Sequence, residues 1–175
     1  MDKREEPTGN PRKRKREMTE EHEPIPPCLI FIDKEGRWYH KGAEMIHRGF
    51  VRLFYQNMEL DAEGNYLITW GGTRCYVDVE DTAFVVKGVS CEEGNDHHAS
   101  RFEISLSDDT HETLAVDTLR VGDAHVLYCQ VKSGAFPARF TRAAYYQLAD
   151  FIEEDNHGYF LSHAGRRHYI DPGRM

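Results

Sequence analysis

The feature that most constrains the fold of this chain is an internal repeat. Residues 66–77 align without a gap on residues 159–170. The matched pairs include Tyr66 with Tyr159, Thr69 with Ser162, Gly72 with Gly165, Arg74 with Arg167 and Tyr76 with Tyr169. Upstream, residues 47–50 match 141–144, and Asp61 matches Asp155 once a one-residue difference in the intervening turn is allowed. Because one copy of such a unit cannot cover its own apolar face, the repeat describes architecture rather than chemistry.

Local patterns place the elements within each copy. The sequence predicts hairpin-helix-hairpin units over residues 29–77 and 126–170 that superpose, with helices over 46–59 and 141–153. Apolar residues at helical spacing predict the first helix, and Gly71-Gly72 predicts a tight hairpin turn. Between the units, residues 83–91, 101–107 and 112–116 alternate as strands do. These patterns predict an α+β fold of mainly antiparallel strands with two helices.

Length and composition favour one domain. A chain of 175 residues with 39% hydrophobic content can bury a single core. We expect it over residues 28–175, with module one at about 28–80, middle strands at about 81–118 and module two at about 124–171. No apolar run approaches the roughly 18 residues of a membrane span, and no secretion signal is evident. The four cysteines, Cys28, Cys75, Cys91 and Cys129, form no CxxC pair, so we expect reduced thiols and a cytoplasmic location.

Charge divides the chain into two parts. Residues 1–27 hold seven Lys/Arg and seven Asp/Glu, which leaves 15 of the 22 basic and 23 of the 30 acidic residues to the body. The segment is rich in charge and proline and is predicted to be a disordered arm. Its basic run at residues 12–16 fits a targeting signal or a nucleic-acid contact, but nearby glutamates favour a solvated tail. An acidic body argues against non-specific nucleic-acid binding.

A set of motifs resembles a known family. These are Asp33-x-x-Gly36-x-Trp38, Gly42, Ile46-x-Arg48, residues 51–54, Asp61-x-x-Gly64-x-Tyr66-x-Ile68-Thr69 and Val79-Glu80-Asp81-x-x-Phe84. Together they resemble the bacterial domain-of-unknown-function family 1285 over most of residues 28–170. The resemblance implies an α+β fold with a repeated motif and a role in ligand sensing or signal transduction. It supplies no catalytic residues.

Arginines that recur in both copies form the candidate ligand site. If the units pack about a pseudo-two-fold axis, they can bind a carboxylate or phosphate together with the aromatic residue beside the Gly-Gly turn. The predicted site comprises Arg48, Arg52, Arg74 and Trp70 from the first unit, and Arg142, Arg167 and His163 from the second. The alternative is that each arginine pairs with an acidic neighbour of its own unit, Asp61, Asp155 or Glu80. Recurrence in both copies favours that structural role.

The histidines give weaker signals. Asp96-His97-His98, six residues after Cys91, and His163 with His168 lack any recognised spacing of zinc ligands. No nucleophile elbow, P-loop or GxGxxG motif appears. We therefore predict no metal and no cofactor.

The sequence favours a non-catalytic cytoplasmic protein that binds a small anionic ligand or a protein partner in a regulatory role. Two alternatives stay open. One is a hydrolase that uses a histidine with a carboxylate or a metal, and the other is a nucleic-acid-associated protein that acts through the basic arm.

Overall fold

The computed structural model describes residues 24–92 and 101–172. The predictions for the arm up to residue 23, for its basic run and for the Asp96-His97-His98 segment lie outside the described residues.

Fifteen short strands and two helices make up the described part of the chain. In chain order they are β1 Pro27–Ile32, β2 Trp38–His40, β3 Ala43–Glu44, α1 Arg48–Gln56, β4 Met58–Leu60, β5 Tyr66–Trp70, β6 Thr73–Val79, β7 Phe84–Glu92, β8 Arg101–Leu106, β9 His111–Thr113, β10 Arg120–Val121, β11 Leu127–Val131, β12 Phe136–Phe140, α2 Arg142–Ala149, β13 Ile152–Asp155, β14 Gly158–His163 and β15 Arg166–Tyr169. Single 3-10 turns at 116–118 and 123–125 flank β10.

The strands form three sheets. The first has the order β3-β2-β1-β6-β5-β4, the second β10-β11-β12-β7-β8-β9 and the third β13-β14-β15. Two neighbouring pairs are parallel, β1 with β6 and β12 with β7, and the other pairs are antiparallel. The predicted α+β class with mainly antiparallel strands and two helices is confirmed.

The repeat holds locally but diverges in its sheet partners. Thr69 lies opposite Arg74 across β5 and β6, as Ser162 lies opposite Arg167 across β14 and β15. In the first unit, however, β1 joins β6 in one sheet, whereas β12 of the second unit pairs with β7 of the middle section. The three strands after α2 therefore form a sheet of their own, and two superposable units are not established.

Both helices begin within two residues of the predicted starts at 46 and 141, and both end earlier than predicted. The N-cap residues His47 and Thr141 each accept a hydrogen bond from the backbone N–H three residues on. The predicted ends at 59 and 153 are wrong, since α1 ends at Gln56 and α2 at Ala149. The residues beyond the helices are taken by β4 and β13, which pair with β5 and β14.

One hydrophobic core draws on all three sheets. Ile32 and Trp38 from the first sheet, Phe84 and Ile104 from the second and Leu161 from the third belong to one cluster of buried side chains. Within the described residues, no helix is long and apolar enough to cross a membrane.

The expectation of four reduced cysteines is wrong for one pair. Cys28 and Cys75 form a disulfide, with their Cα atoms 5.0 Å apart. The two residues are 47 positions apart in sequence, and the parallel pairing of β1 with β6 brings them together. Cys91 and Cys129 are thiols. Burial raises the pKa of the Cys129 thiol to about 12, so it stays protonated as a core residue does.

Candidate functional site

A cleft of about 550 Å³ opens where α1 begins, between the β1–β2 turn and strands β7 to β9. We call it the α1 cleft. Its basic lining residues are Arg37, Arg48, Lys87 and His111, and its acidic lining residues are Glu35, Glu44 and Asp109. Because acidic residues outnumber basic ones 23 to 15 in the body, this balanced lining is more basic than the protein around it.

The turn between β8 and β9 forms one wall of the α1 cleft. Its first residue, Ser107, is buried, and its hydroxyl accepts the Val85 backbone N–H at 3.0 Å. The Ser107 hydroxyl also lies 2.8 Å from the Tyr55 hydroxyl, which in turn reaches the Ala83 carbonyl oxygen at 2.9 Å. Burial raises the pKa of Tyr55 to about 12, so this phenol stays neutral. The network fixes the turn against α1.

The next residue of the same turn, Asp108, is held by a lysine from the β11–β12 hairpin. Lys132 Nζ lies 2.8 Å from a carboxylate oxygen of Asp108 and 3.6 Å from one of Glu112. The Asp108 side chain is nearly buried, so a paired cation is needed to offset its desolvation. The β8–β9 turn is thus tied both to α1 and to the β11–β12 hairpin.

Asp109, the next residue, faces two arginines of α1. Arg48 Nε donates to Asp109 Oδ2 at 3.2 Å, and Arg48 Nη2 contacts Oδ1 as well as the Ser107 carbonyl oxygen at 3.3 Å. Arg52 Nε lies 4.0 Å from Asp109 Oδ2. The two arginines are four residues apart and share one helix face, so both reach one carboxylate.

The β1–β2 turn supplies the facing wall. Although burial alone raises the pKa of Asp33, hydrogen bonds from the Arg37 backbone and guanidinium and from the Glu35 N–H hold it below its ordinary value. Gly36 completes the turn with φ +74, and a Cβ there would lie 2.9 Å from Ser107 Cβ. The turn can approach the β8–β9 turn this closely only because residue 36 is glycine.

Lys87 is the cation of the cleft without an acidic partner among the described residues, and His111 is a second nitrogen donor of the lining. Lys87 Nζ donates to the Glu35 carbonyl oxygen at 2.6 Å and has no ion pair among the described residues. His111 lies directly opposite Ser105 across β8 and β9, and both line the cleft. A lysine that no carboxylate neutralises, in the same cleft as an imidazole that can donate a hydrogen bond, is available to an anion.

Trp38 forms the floor of the cleft on the core side. Its ring packs edge-on against Tyr55 at 4.8 Å and stacks with Phe54 at 6.1 Å. The buried indole N–H of Trp38 lies near the Tyr55 hydroxyl and opposes the rise in the pKa of Tyr55. It is nevertheless not positioned to donate a well-formed hydrogen bond. A buried donor without a partner is uncommon, and this one lies beside the cleft.

Of the seven predicted site residues, only Arg48 lines the α1 cleft, and Arg52 stands beside it on α1. Arg74 pairs with Glu59 at 2.9 Å, and Trp70 is half exposed with its ring edge-on to Phe54 at 5.8 Å.

The second-unit residues of the predicted site have partners within their own unit. Arg142 donates to the Tyr146 hydroxyl at 3.0 Å, and Arg167 pairs with Asp155 at 2.8 Å. Hydrogen bonds from the His157 backbone N–H and from Tyr169 help to hold the pKa of Asp155 below its ordinary value. The rings of His163 and His168 lie 5.8 Å apart. Of these contacts, only the Arg167–Asp155 pair is one that the alternative named, whereas Arg142 contacts a tyrosine rather than an acidic residue.

Sequence reasoning missed Lys87, Ser107, Asp109 and His111, because they belong to the middle strands and the β8–β9 turn, which carry no repeat. The Asp108-Asp109 pair between two alternating runs was a turn signal, but nothing local showed that the turn meets α1. Over the described ranges, no three His, Cys, Asp or Glu residues are grouped so that they could hold a metal ion.

Two solved structures share this fold. The crystal structure of a DUF1285 family protein from Silicibacter pomeroyi DSS-3 has a TM-score of 0.70 and 16% identity, covering 83% of this chain and 81% of that one. A DUF1285 family protein from Shewanella baltica OS155 has a TM-score of 0.57 and 19% identity, covering 70% and 91%. No family model matches the sequence, and no curated protein is significantly similar to it. The resemblance to family 1285 is confirmed at the level of the fold.

Proposed function

We propose that this protein is a non-catalytic cytoplasmic protein that binds a small anionic ligand in the α1 cleft and serves a regulatory role. The observation that carries the proposal is the presence of Lys87 and His111 in that cleft. Neither has an acidic partner among the described contacts, although the body is strongly acidic. A concave surface that holds an unneutralised lysine and an imidazole hydrogen-bond donor attracts anions against such a surround.

Binding suits this geometry better than catalysis. The cleft histidine has no carboxylate within hydrogen-bond reach among the described residues, so the pairing expected of a general base is not in place there. His157 lies 3.6 Å from Asp155, but it is highly exposed and outside the cleft lining.

We also propose that the two units are structural repeats and that only the first has been completed into a ligand site. Arg142, the counterpart of Arg48, turns to Tyr146 of its own helix. Arg48 instead meets the β8–β9 turn, which belongs to neither unit. The difference in partners explains how two similar helices would come to differ in function.

A ligand-induced thermal shift tests the proposal. Inorganic phosphate or succinate at 100 times its Kd should stabilise the native protein by about 2.7 kcal/mol. Lys87→Met should reduce the shift at a fixed ligand concentration. The matched control is Lys34→Met, because Lys34 is exposed, loses the same charge and lies outside the cleft lining. The proposal fails if neither anion shifts the wild-type melting temperature, or if both variants lose the shift equally.

The proposed cytoplasmic location can be tested through the Cys28–Cys75 bond. Disulfides are rare in reducing compartments, so the bond that the isolated, oxidised protein forms should be found reduced when cells are lysed into an alkylating reagent. Recovery of a fully oxidised pair would argue for a different compartment.

A further inference from the structure

One carboxylate of the protein itself occupies the arginines at the edge of the α1 cleft. Asp109 accepts from Arg48 through both of its oxygens, and Arg52 Nε stands 4.0 Å from Oδ2. This two-point approach of a guanidinium to a carboxylate is the geometry in which arginine recognises carboxylates in general.

The Asp109 contact is easily exchanged. The Asp109 side chain is 42% exposed, and both arginine side chains are more than half exposed. Ion pairs at this exposure contribute little to stability, because water competes for both partners. A carboxylate from solution could therefore replace Asp109 with little loss to the fold.

A second anionic group would find its partners across the cleft. Lys87 comes from β7, while His111 lies opposite Ser105 on the adjoining strands. All three residues line the same cleft as Arg48, whose volume of about 550 Å³ leaves room for a short acyclic ligand. The cleft thus offers two separate places for negative charge, one of them now taken by Asp109.

Resting on the proposed anion-binding function, we infer that the ligand is a small dicarboxylate. One carboxylate replaces Asp109 between Arg48 and Arg52, and the other is bound by Lys87 and His111. Asp109 then acts as an internal competitor that sets the affinity of the site.

Calorimetric titration of the whole protein with succinate tests this inference through Asp109→Asn. Asparagine keeps the shape of aspartate and tolerates the positive φ of 66° at this position, so the turn should keep its fold. Removing the competing charge should lower the Kd for succinate about two- to fivefold. The matched control is Asp117→Asn, because Asp117 is exposed, outside the cleft lining, and its loss changes the net charge equally.

Three results would overturn the inference while leaving the proposed anion binding in place. If Asp109→Asn binds succinate no more tightly than Asp117→Asn, Asp109 does not compete with the ligand. If acetate binds as tightly as succinate, the second carboxylate has no role. If inorganic phosphate binds and succinate does not, the anion site stands but the ligand class is wrong. Absence of binding by every anion tested would remove the proposed function together with this inference.

Discussion

The close contact between the β1–β2 turn and the β8–β9 turn gives the sharpest test of the structure. Gly36 has φ +74, and a Cβ built on it would lie 2.9 Å from Ser107 Cβ and 3.2 Å from Val85 Cγ2. We expect Gly36→Ala to be costly for two separate reasons. One is the left-handed backbone, which an L side chain adopts reluctantly, and the other is the steric overlap with two buried neighbours.

A second glycine separates the two costs. Gly42 has φ +82, and nothing lies within 4 Å of its built Cβ, so Gly42→Ala reports the backbone cost alone. That cost is about 1 kcal/mol. Overpacking of a well-filled region adds about 1–3 kcal/mol, so Gly36→Ala should be less stable than Gly42→Ala by this amount. Gly64, with φ +87 and the same open surroundings, provides a second control.

Urea unfolding followed by circular dichroism measures the difference. The midpoint of Gly36→Ala should fall below that of Gly42→Ala at an unchanged m value. In a domain of this size the difference corresponds to about 2–4 °C in Tm for each kcal/mol. If the two variants unfold at the same midpoint, the turn does not pack on Ser107 as described, and this wall of the α1 cleft is wrong.

Three further predictions concern the framework around the site. Replacing Cys28 and Cys75 by serine should lower the free energy of unfolding by about 4 kcal/mol, which is the loop-entropy value for 47 residues. If dithiothreitol does not lower the free energy of unfolding of the wild-type protein, the cross-link is contradicted. Tyr55→Phe should lower the free energy of unfolding in urea by about 1–3 kcal/mol, because the Ala83 carbonyl and the Ser107 hydroxyl lose a buried partner. Tyr159 is exposed, so Tyr159→Phe should leave the stability nearly unchanged. Equal effects of the two substitutions would refute the network. The lowered pKa of Asp33 means that its contribution is present above the unfolded pKa of about 3.9 and is lost as pH falls through the lower folded pKa. The stability gap between wild type and Asp33→Asn should therefore narrow from pH 7 to pH 3, and a gap that does not change with pH would show that the folded pKa is not lowered.

Much of the local structure could be predicted because short-range interactions decide it. The Gly71-Gly72 turn sets the register of β5 and β6, since both glycines take positive φ and leave Trp70 opposite Thr73. The helix starts at His47 and Thr141 are likewise local, because each cap bonds to an N–H three residues away. The helix ends were mispredicted because the apolar spacing that suits a helix continues through Met58, which instead pairs with Ile68.

The sequence by itself determined the α+β class, the hairpins, the approximate helix starts, the acidic composition of the body and the recurrence of arginines in the two copies of the repeat. The tertiary structure alone decided which distant segments meet. The parallel pairing of β1 with β6 joins Cys28 to Cys75, and packing of the β8–β9 turn on α1 brings Asp109 to Arg48. No local pattern encodes such contacts, because they depend on how sheets share one core rather than on the spacing of residues along a strand or helix. For the same reason the recurrent arginines were visible in the sequence, while the cleft that one of them lines was not.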